Sequence, residues 1–262
     1  MEQDNISSSL NWSKLSAEIE SLLHLKFGPV AYKKLNKVKE MDTIPVVTKL
    51  DRKTTFCQVP SMVRSAGMTI GVTRNNFGAR CARINGLLET TEEQIIKEAN
   101  DFATTWFASA EEAKKQLSSY PLIPPGKALV LAPMAQGKFE PDVVLVYGNP
   151  AQMMLLMNGL QFQDYEPFQF FFTGEGSCAD GLARCYNTGK PSLAIPCMGE
   201  RAFGAVADDE MVMALPPAYL PKAITGLKIL RERRIGYPIL HLGPISDPTG
   251  FLTQIYPDWF ED

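Results

Sequence analysis

Histidine is nearly missing: the 262 residues contain His24 and His241 and no other. A metal site built on imidazoles is not expected, and any metal would have to be held mostly by thiolates. An excess of positive charge is missing as well. Lys and Arg number 26 against 29 Asp and Glu, a net charge of −3, so the surface offers no field to a phosphate backbone and nucleic-acid binding is not expected. No apolar run approaches the roughly 20 residues needed to span a bilayer. The opening MEQDNISSSLNW lacks the cationic start and apolar core of a secretory signal. The expectation is a cytoplasmic chain without a membrane partner. No GxGxxG, P-loop, CxxC, HExxH or GxSxG pattern occurs, which removes the common nucleotide, zinc-finger, zincin and hydrolase readings. The five cysteines are odd in number and widely spaced, which argues against a disulfide framework and fits a reducing compartment.

What is present is a sequence of ordinary globular composition, 45% hydrophobic, long enough for a large core. Helical spacing of Leu15, Ile19, Leu22 and Leu23 predicts a first helix, capped by Ser13 and stopped at Gly28-Pro29. His24, at its end, reads as a surface or packing histidine. Short strands are expected at Pro29–Tyr32, Ile44–Leu50 and Met68–Thr73. A helix between the last two starts near Pro60 and closes at Gly67. Thr90-x-x-Glu93 and Ser109-x-x-Glu112 read as capping boxes of two helices. The proline-rich stretch Tyr120 to Gly126 marks a boundary between halves. Ala128–Ala132 and Val143–Tyr147 read as buried strands. Asn149-Pro150 opens a helix rich in Met153, Met154 and Met157, read as core filler and not as soft ligands. Phe168–Phe172 reads as a strand, and residues 217–234 as a helix whose closing arginines suit its C-terminus. The tail from Gly236 is expected to dock through Phe251, Trp259 or Phe260. Alternating strands and helices predict an α/β or α+β fold with a mixed sheet covered by helices in a single domain.

The chemistry concentrates in Ser177–Pro217, which holds three of the five cysteines. Its layout is cysteine (Cys178), helix, glycine (Gly189), strand, cysteine (Cys197). The same order occurs upstream as Cys57, helix, Gly67, strand, Cys81, with Gly67 ten residues after Cys57 and Gly189 eleven after Cys178. Two pseudo-repeated halves, 29–120 and 127–216, would explain this, and so would coincidence. In the first case a pseudo-twofold axis would bring four thiols together.

Cys178 follows Ser177, a fair N-cap, and a thiol at a helix start has a lowered pKa. Cys185 reads as core. Cys197 sits directly after a strand, where α/β folds place ligands. Arg201 in Cys197-Met-Gly199-Glu-Arg201 has the fork needed to clamp a carboxylate or phosphate, although a surface ion pair with Glu200 or Asp208 is the commoner fate. Arg74, Arg80 and Arg83 surround Cys81 and read as anion holders, as agents that lower a thiolate pKa, or as solvated side chains. Asp208-Asp209-Glu210 reads as a solvated turn ahead of a strand at Met211–Leu215.

These residues resemble domain-of-unknown-function family 169, the ArCR-type proteins. The resemblance is carried by Pro29-Val-Ala, the Cys57 segment, Pro141-Asp142-Val-Val-Leu-Val-Tyr147 running into Asn149-Pro150-Ala151-Gln152, and Cys178 through Gly189 to Pro196-Cys197-Met-Gly199-Glu-Arg201. Asp209-Glu210 and Pro216 follow, so the likeness spans about residues 15 to 235. It implies a cytoplasmic protein of a kind common in anaerobes and a shared fold group, and it implies no reaction. Two functions from different classes follow from the residues. One is a cofactor-binding protein of redox metabolism, with Cys57, Cys81, Cys178 and Cys197 holding an iron–sulfur cluster. The other is a metal-free binding protein or enzyme for a small anionic organic molecule, with Arg201 as clamp beside Cys178 and Cys197. Nucleophilic catalysis by Cys178 is a third class, and it lacks an evident base. A homo-oligomer is compatible with either of the first two.

Overall fold

In the computed structural model, which describes residues 10–247 together with Thr249, Gly250 and Thr253, a seven-stranded sheet runs through the chain. The strands are β1 (Val30–Leu35), β2 (Thr48–Lys49), β3 (Ile70–Thr73), β4 (Ala128–Pro133), β5 (Val143–Gly148), β6 (Ser192–Ala194) and β7 (Met211–Leu215). Their order is β2-β3-β4-β1-β5-β7-β6. Only β2 and β3 pair in parallel, so the sheet is mixed. With helices on both faces the fold is α/β, as the alternation of elements implies.

The period of two along the strands decides which helix packs where. Val30, Tyr32, Leu129, Leu131, Val143, Leu145 and Tyr147 face one side. There they meet α2 (Gln58–Ala66), α3 (Ala79–Ile84), α4 (Glu92–Ala103), α5 (Ala110–Ser119) and a π-helical turn, Ala179–Ala183, that runs into α7 (Arg184–Thr188). Ala31, Val144, Val146, Met213 and Leu215 face the other side and bury the inner faces of α1 (Trp12–Leu23), α6 (Pro150–Gln161) and α9 (Tyr219–Glu232). A short helix, α8 (Met198–Ala202), links β6 to β7. All six residues of β5 are buried, which is why that run reads as continuously apolar.

Connectivity is similar on both sides of the β1/β5 pair. Each side starts from a central strand, passes outward through a cysteine-bearing helical segment to an outer strand (β3 or β6), and returns to the place between them (β4 or β7); the first side also adds β2, which forms the sheet edge beyond β3. The helical segments end on Gly67 (φ 67°) and Gly189 (φ 63°), left-handed caps that a side chain would strain. β1 and β5 pair antiparallel, Val30 opposite Leu145 and Tyr32 opposite Val143. β4 lies between β3 and β1, so residues 128–133 belong beside the first half and not the second, where the sequence reading put them.

Several boundaries shift. α1 is capped by Asn11, whose side chain accepts from Lys14 N–H at 2.9 Å, and not by Ser13. The capping box of α4 is Thr91/Gln94, one residue beyond the expected Thr90/Glu93; Ala99 and Phe102 are the residues of this helix that are buried. Of Ile44–Leu50 only Thr48–Lys49 joins the ladder, because Pro45 has no N–H to give and Val46 adopts φ 54°. Phe168–Phe172 is not a strand. It has no strand partner, and Phe168 and Phe170 instead pack on the α1/α6/α9 core with ring centroids 6.0 Å apart. Met153 is buried in α6 and Met157 half-buried, but Met154 is exposed. His24 packs edge-on against Tyr237, with ring centroids 5.9 Å apart. The tail residues Phe251, Trp259 and Phe260 and the N-terminal residues 1–9 lie outside the described residues.

Candidate functional site

Four segments of the chain deliver a cysteine to one cavity of about 390 Å³ on the α2–α5 side of the sheet. Cys57 stands at the entrance to α2. The Gln58 side chain fixes that entrance by accepting from Thr55 N–H at 3.0 Å and from the Thr54 hydroxyl at 2.8 Å. Cys81 lies on α3, and its Sγ accepts from Phe56 N–H at 3.4 Å. Cys178 leads into the π-helical turn, a rare geometry found disproportionately at functional sites. Cys197 lies between β6 and α8, at the N-cap of α8, and its Sγ accepts from the Ser177 hydroxyl at 3.2 Å. All four line the cavity, together with Arg80, Ile84, Glu98, Glu175 and Phe203. Cys185 does not, being 1% exposed in the core as its place in the helix suggests.

Glycine permits the closest approach. A β-carbon on Gly199 would stand 3.2 Å from Cys57 Sγ and 3.7 Å from Cys197 Sγ, so both sulfurs crowd the same bare backbone. The loop ahead of Cys178 is held by Asp180, whose carboxylate accepts from Thr173 N–H at 2.8 Å and from its hydroxyl at 3.0 Å. Tyr120 braces the same loop by donating its hydroxyl to the Glu175 carbonyl at 2.8 Å.

The thiols are not equivalent. Burial pushes Cys178 and Cys81 up, and Cys57 is pushed up chiefly because its thiol donates to Cys197. Cys197 is lowered to about 5, first by that hydrogen bond from Cys57 and then, against the opposing effect of burial, by the Ser177 hydroxyl and the N–H groups of Glu200 and Ser177. Cys197, not Cys178, is therefore the thiol that ionises most readily. Ser177 caps no helix, because its hydroxyl is given to Cys197.

Glu200 is a site residue that sequence reasoning treated only as an ion-pair partner for Arg201. It is 3% exposed, and Tyr147 donates its hydroxyl to Oε1 at 3.0 Å. Ser177 has one hydroxyl proton. Directed at Cys197, it leaves Glu200 Oε2 without a donor. Burial first, and then the Cys197 charge, raise Glu200 to about 7 from its ordinary 4.5. The folded state thus keeps a proton that the unfolded chain releases, and stability falls as pH rises through that interval. Glu200→Gln is expected to be more stable than the unaltered protein by about 2–4 kcal/mol at high pH, with the advantage absent below the ordinary carboxylate range. Urea unfolding of both proteins at pH 4 and pH 8 measures this, and an equal difference at both pH values would refute it.

The arginines take separate places. Arg201 turns away and donates to the Ala207 carbonyl, and it does not line the cavity, so the clamp role expected of it lacks the required position. Arg74 donates to the Phe77 carbonyl at 2.7 Å. Arg83 is buried and touches Glu98 at 2.9 Å. Arg80 lines the cavity. Asp208 and Asp209 are exposed, as a solvated turn should be, whereas Glu210 is buried and paired with Arg64.

Residues 18–226 match the family described as uncharacterised ArCR, DUF169, a range that takes in well over half of the chain and every residue lining the cavity. This chain belongs to DUF169. A relative among curated proteins is an uncharacterized protein of Methanocaldococcus jannaschii, MJ0308, 25% identical over 207 residues that make up 78% of this chain and 82% of that one. No solved structure matches. Among the described residues no group of three or more His, Cys, Asp or Glu side chains is arranged to hold a metal ion, and no helix is long and apolar enough to cross a membrane.

Proposed function

We propose that this protein binds a cofactor at the four-cysteine cavity, and that the cofactor is an iron–sulfur cluster held by Cys57, Cys81, Cys178 and Cys197. The observation that carries this reading is the presence of four free cysteines, from four separate segments, in the wall of one cavity. Soft thiolates select zinc, copper(I) or iron–sulfur clusters. A single zinc ion draws four donors to about 2.3 Å from one point, and among the described residues no three of the thiols are placed to hold one ion. A cluster interposes iron and sulfide between its ligands, so it accepts a wider ring of sulfurs around a space such as this one. The cysteines are unpaired, which suits the reducing cytoplasm. The role that follows is in electron transfer or redox metabolism.

The test is iron and acid-labile sulfide analysis, with visible absorption, of protein purified and reconstituted without oxygen. Near-stoichiometric cluster is expected in the unaltered chain, with loss of at least half the iron in Cys57→Ser or Cys197→Ser and none in Cys185→Ser, the core cysteine. Protein that stays colourless after anaerobic incubation with iron and sulfide would remove the proposal.

A further inference from the structure

Arg80 is the cation of this cavity, and nothing in the cluster reading uses it. Its guanidinium sits over Phe102, with Cζ 3.6 Å from the ring centroid, a cation–π contact that holds the fork in place. Among the described residues no carboxylate lies within ion-pair distance of it, although two line the same cavity. Glu98 is committed to Arg83. Glu175 lies close enough to feel the Arg80 charge, but it forms no pair with it and instead accepts from Met198 N–H at 3.4 Å. The buried Nε of Arg80 has no hydrogen-bond partner. A half-buried arginine with donors unspent is an incomplete arrangement, since each unsatisfied charged donor costs stability until a counter-charge arrives.

We infer that the cavity takes a small organic monocarboxylate, its two oxygens on the Arg80 fork and its apolar body against Ile84 and Phe203. Shape and charge both select that class. A planar fork matches the two oxygens of a carboxylate. A monoanion neutralises Arg80, whereas a dianion such as phosphate would bring surplus negative charge towards Glu175 and the thiols. The walls combine apolar side chains with a few polar groups in a volume at the lower end for ligand pockets. This inference stands on Arg80 and the cavity, and it does not need the cluster.

Butyrate and phenylacetate serve as probes, with inorganic phosphate as the dianion control. Titration calorimetry is run on the reduced iron-free protein and on the iron-loaded protein. Saturable binding of a monocarboxylate is expected, at least tenfold weaker in Arg80→Met, and unchanged in Arg201→Met because Arg201 faces Ala207. Arg80→Lys keeps the charge and loses the fork, so it should also bind more weakly than the unaltered protein. It decides the matter if Arg80→Met does not fold. Equal affinity in the Arg80 variants, tighter binding of phosphate, or no saturable binding of either monocarboxylate at millimolar concentration overturns the inference. Iron bound without carboxylate binding sinks this inference alone, and carboxylate bound by a chain that takes up no iron leaves it standing and sinks the cluster.

Discussion

Gly226→Ala is expected to destabilise the protein by about 2–4 kcal/mol, although alanine is the better helix former by roughly 1 kcal/mol. The reason is backbone contact between α9 and α6. A β-carbon on Gly226 would collide with the carbonyl oxygen of Gly159 and lie 2.9 Å from its carbonyl carbon. The reverse contact is also too close, since a β-carbon on Gly159 would lie 2.8 Å from the Ala223 carbonyl oxygen. No rotamer change relieves a clash with main chain, so the helices must separate. Separation opens the core in which Leu155, Leu156, Leu220 and Leu227 are 4% exposed or less. Urea unfolding should show a lower midpoint with an unchanged slope. Thr225→Ala, on the exposed neighbouring position, should move the midpoint little. A Gly226→Ala protein as stable as its parent would show that α6 and α9 do not touch in this way.

That crossing illustrates what the sequence could and could not say. Gly159 and Gly226 look like ordinary helical glycines until a partner helix is known. By contrast, Asn149 capping α6 through Gln152 N–H at 3.0 Å, with Pro150 in its first turn, was legible because both partners lie within one turn of chain. The same holds for the Ser109 cap of α5 and for the buried strands β4 and β5. Local rules fail where a long-range partner decides. Phe168 and Phe170 have strand-like spacing, yet both rings pack on the helical core and the segment joins no ladder. Arg80, Arg83 and Arg201 carry the same side chain in similar company. Only the fold sends one to a cavity, one to a half-buried carboxylate and one to a loop carbonyl.

The candidate site was legible in its cysteines and not in its electrostatics. Cys57, Cys81, Cys178 and Cys197 stood out by their matching order with Gly67 and Gly189, and the fold brings all four to one cavity. Which thiol ionises could not be read. That depends on the Cys57 thiol and the Ser177 hydroxyl both pointing at Cys197, groups 140 and 20 positions away in the chain. Ser177 looked like a cap because it precedes a helix. It acts on a sulfur because β6 carries Cys197 back beside it.

Glu98→Ala should cost about 3–5 kcal/mol, the largest loss expected of any single truncation in the cavity wall. Glu98 on α4 faces Arg83 on α3, whose side chain is 1% exposed. The pair meets at 2.9 Å but without hydrogen-bond geometry, and both Arg83 Nη atoms and both Glu98 oxygens lack hydrogen-bond partners, so the pairing offsets only part of the cost of burying the charges. Removing the carboxylate leaves a guanidinium in the core with no counter-charge, and arginine cannot shed its proton to escape. The loss should therefore come from the stranded charge and not from the missing methylenes. A double variant separates the two causes. Arg83→Leu with Glu98→Leu removes both charges while keeping apolar volume, and it should recover most of the stability that Glu98→Ala loses, at an unchanged urea slope. Recovery would identify the ion pair as a device for shaping the cavity wall at some cost to stability. A double variant no more stable than Glu98→Ala would instead mean that the carboxylate matters through its packing.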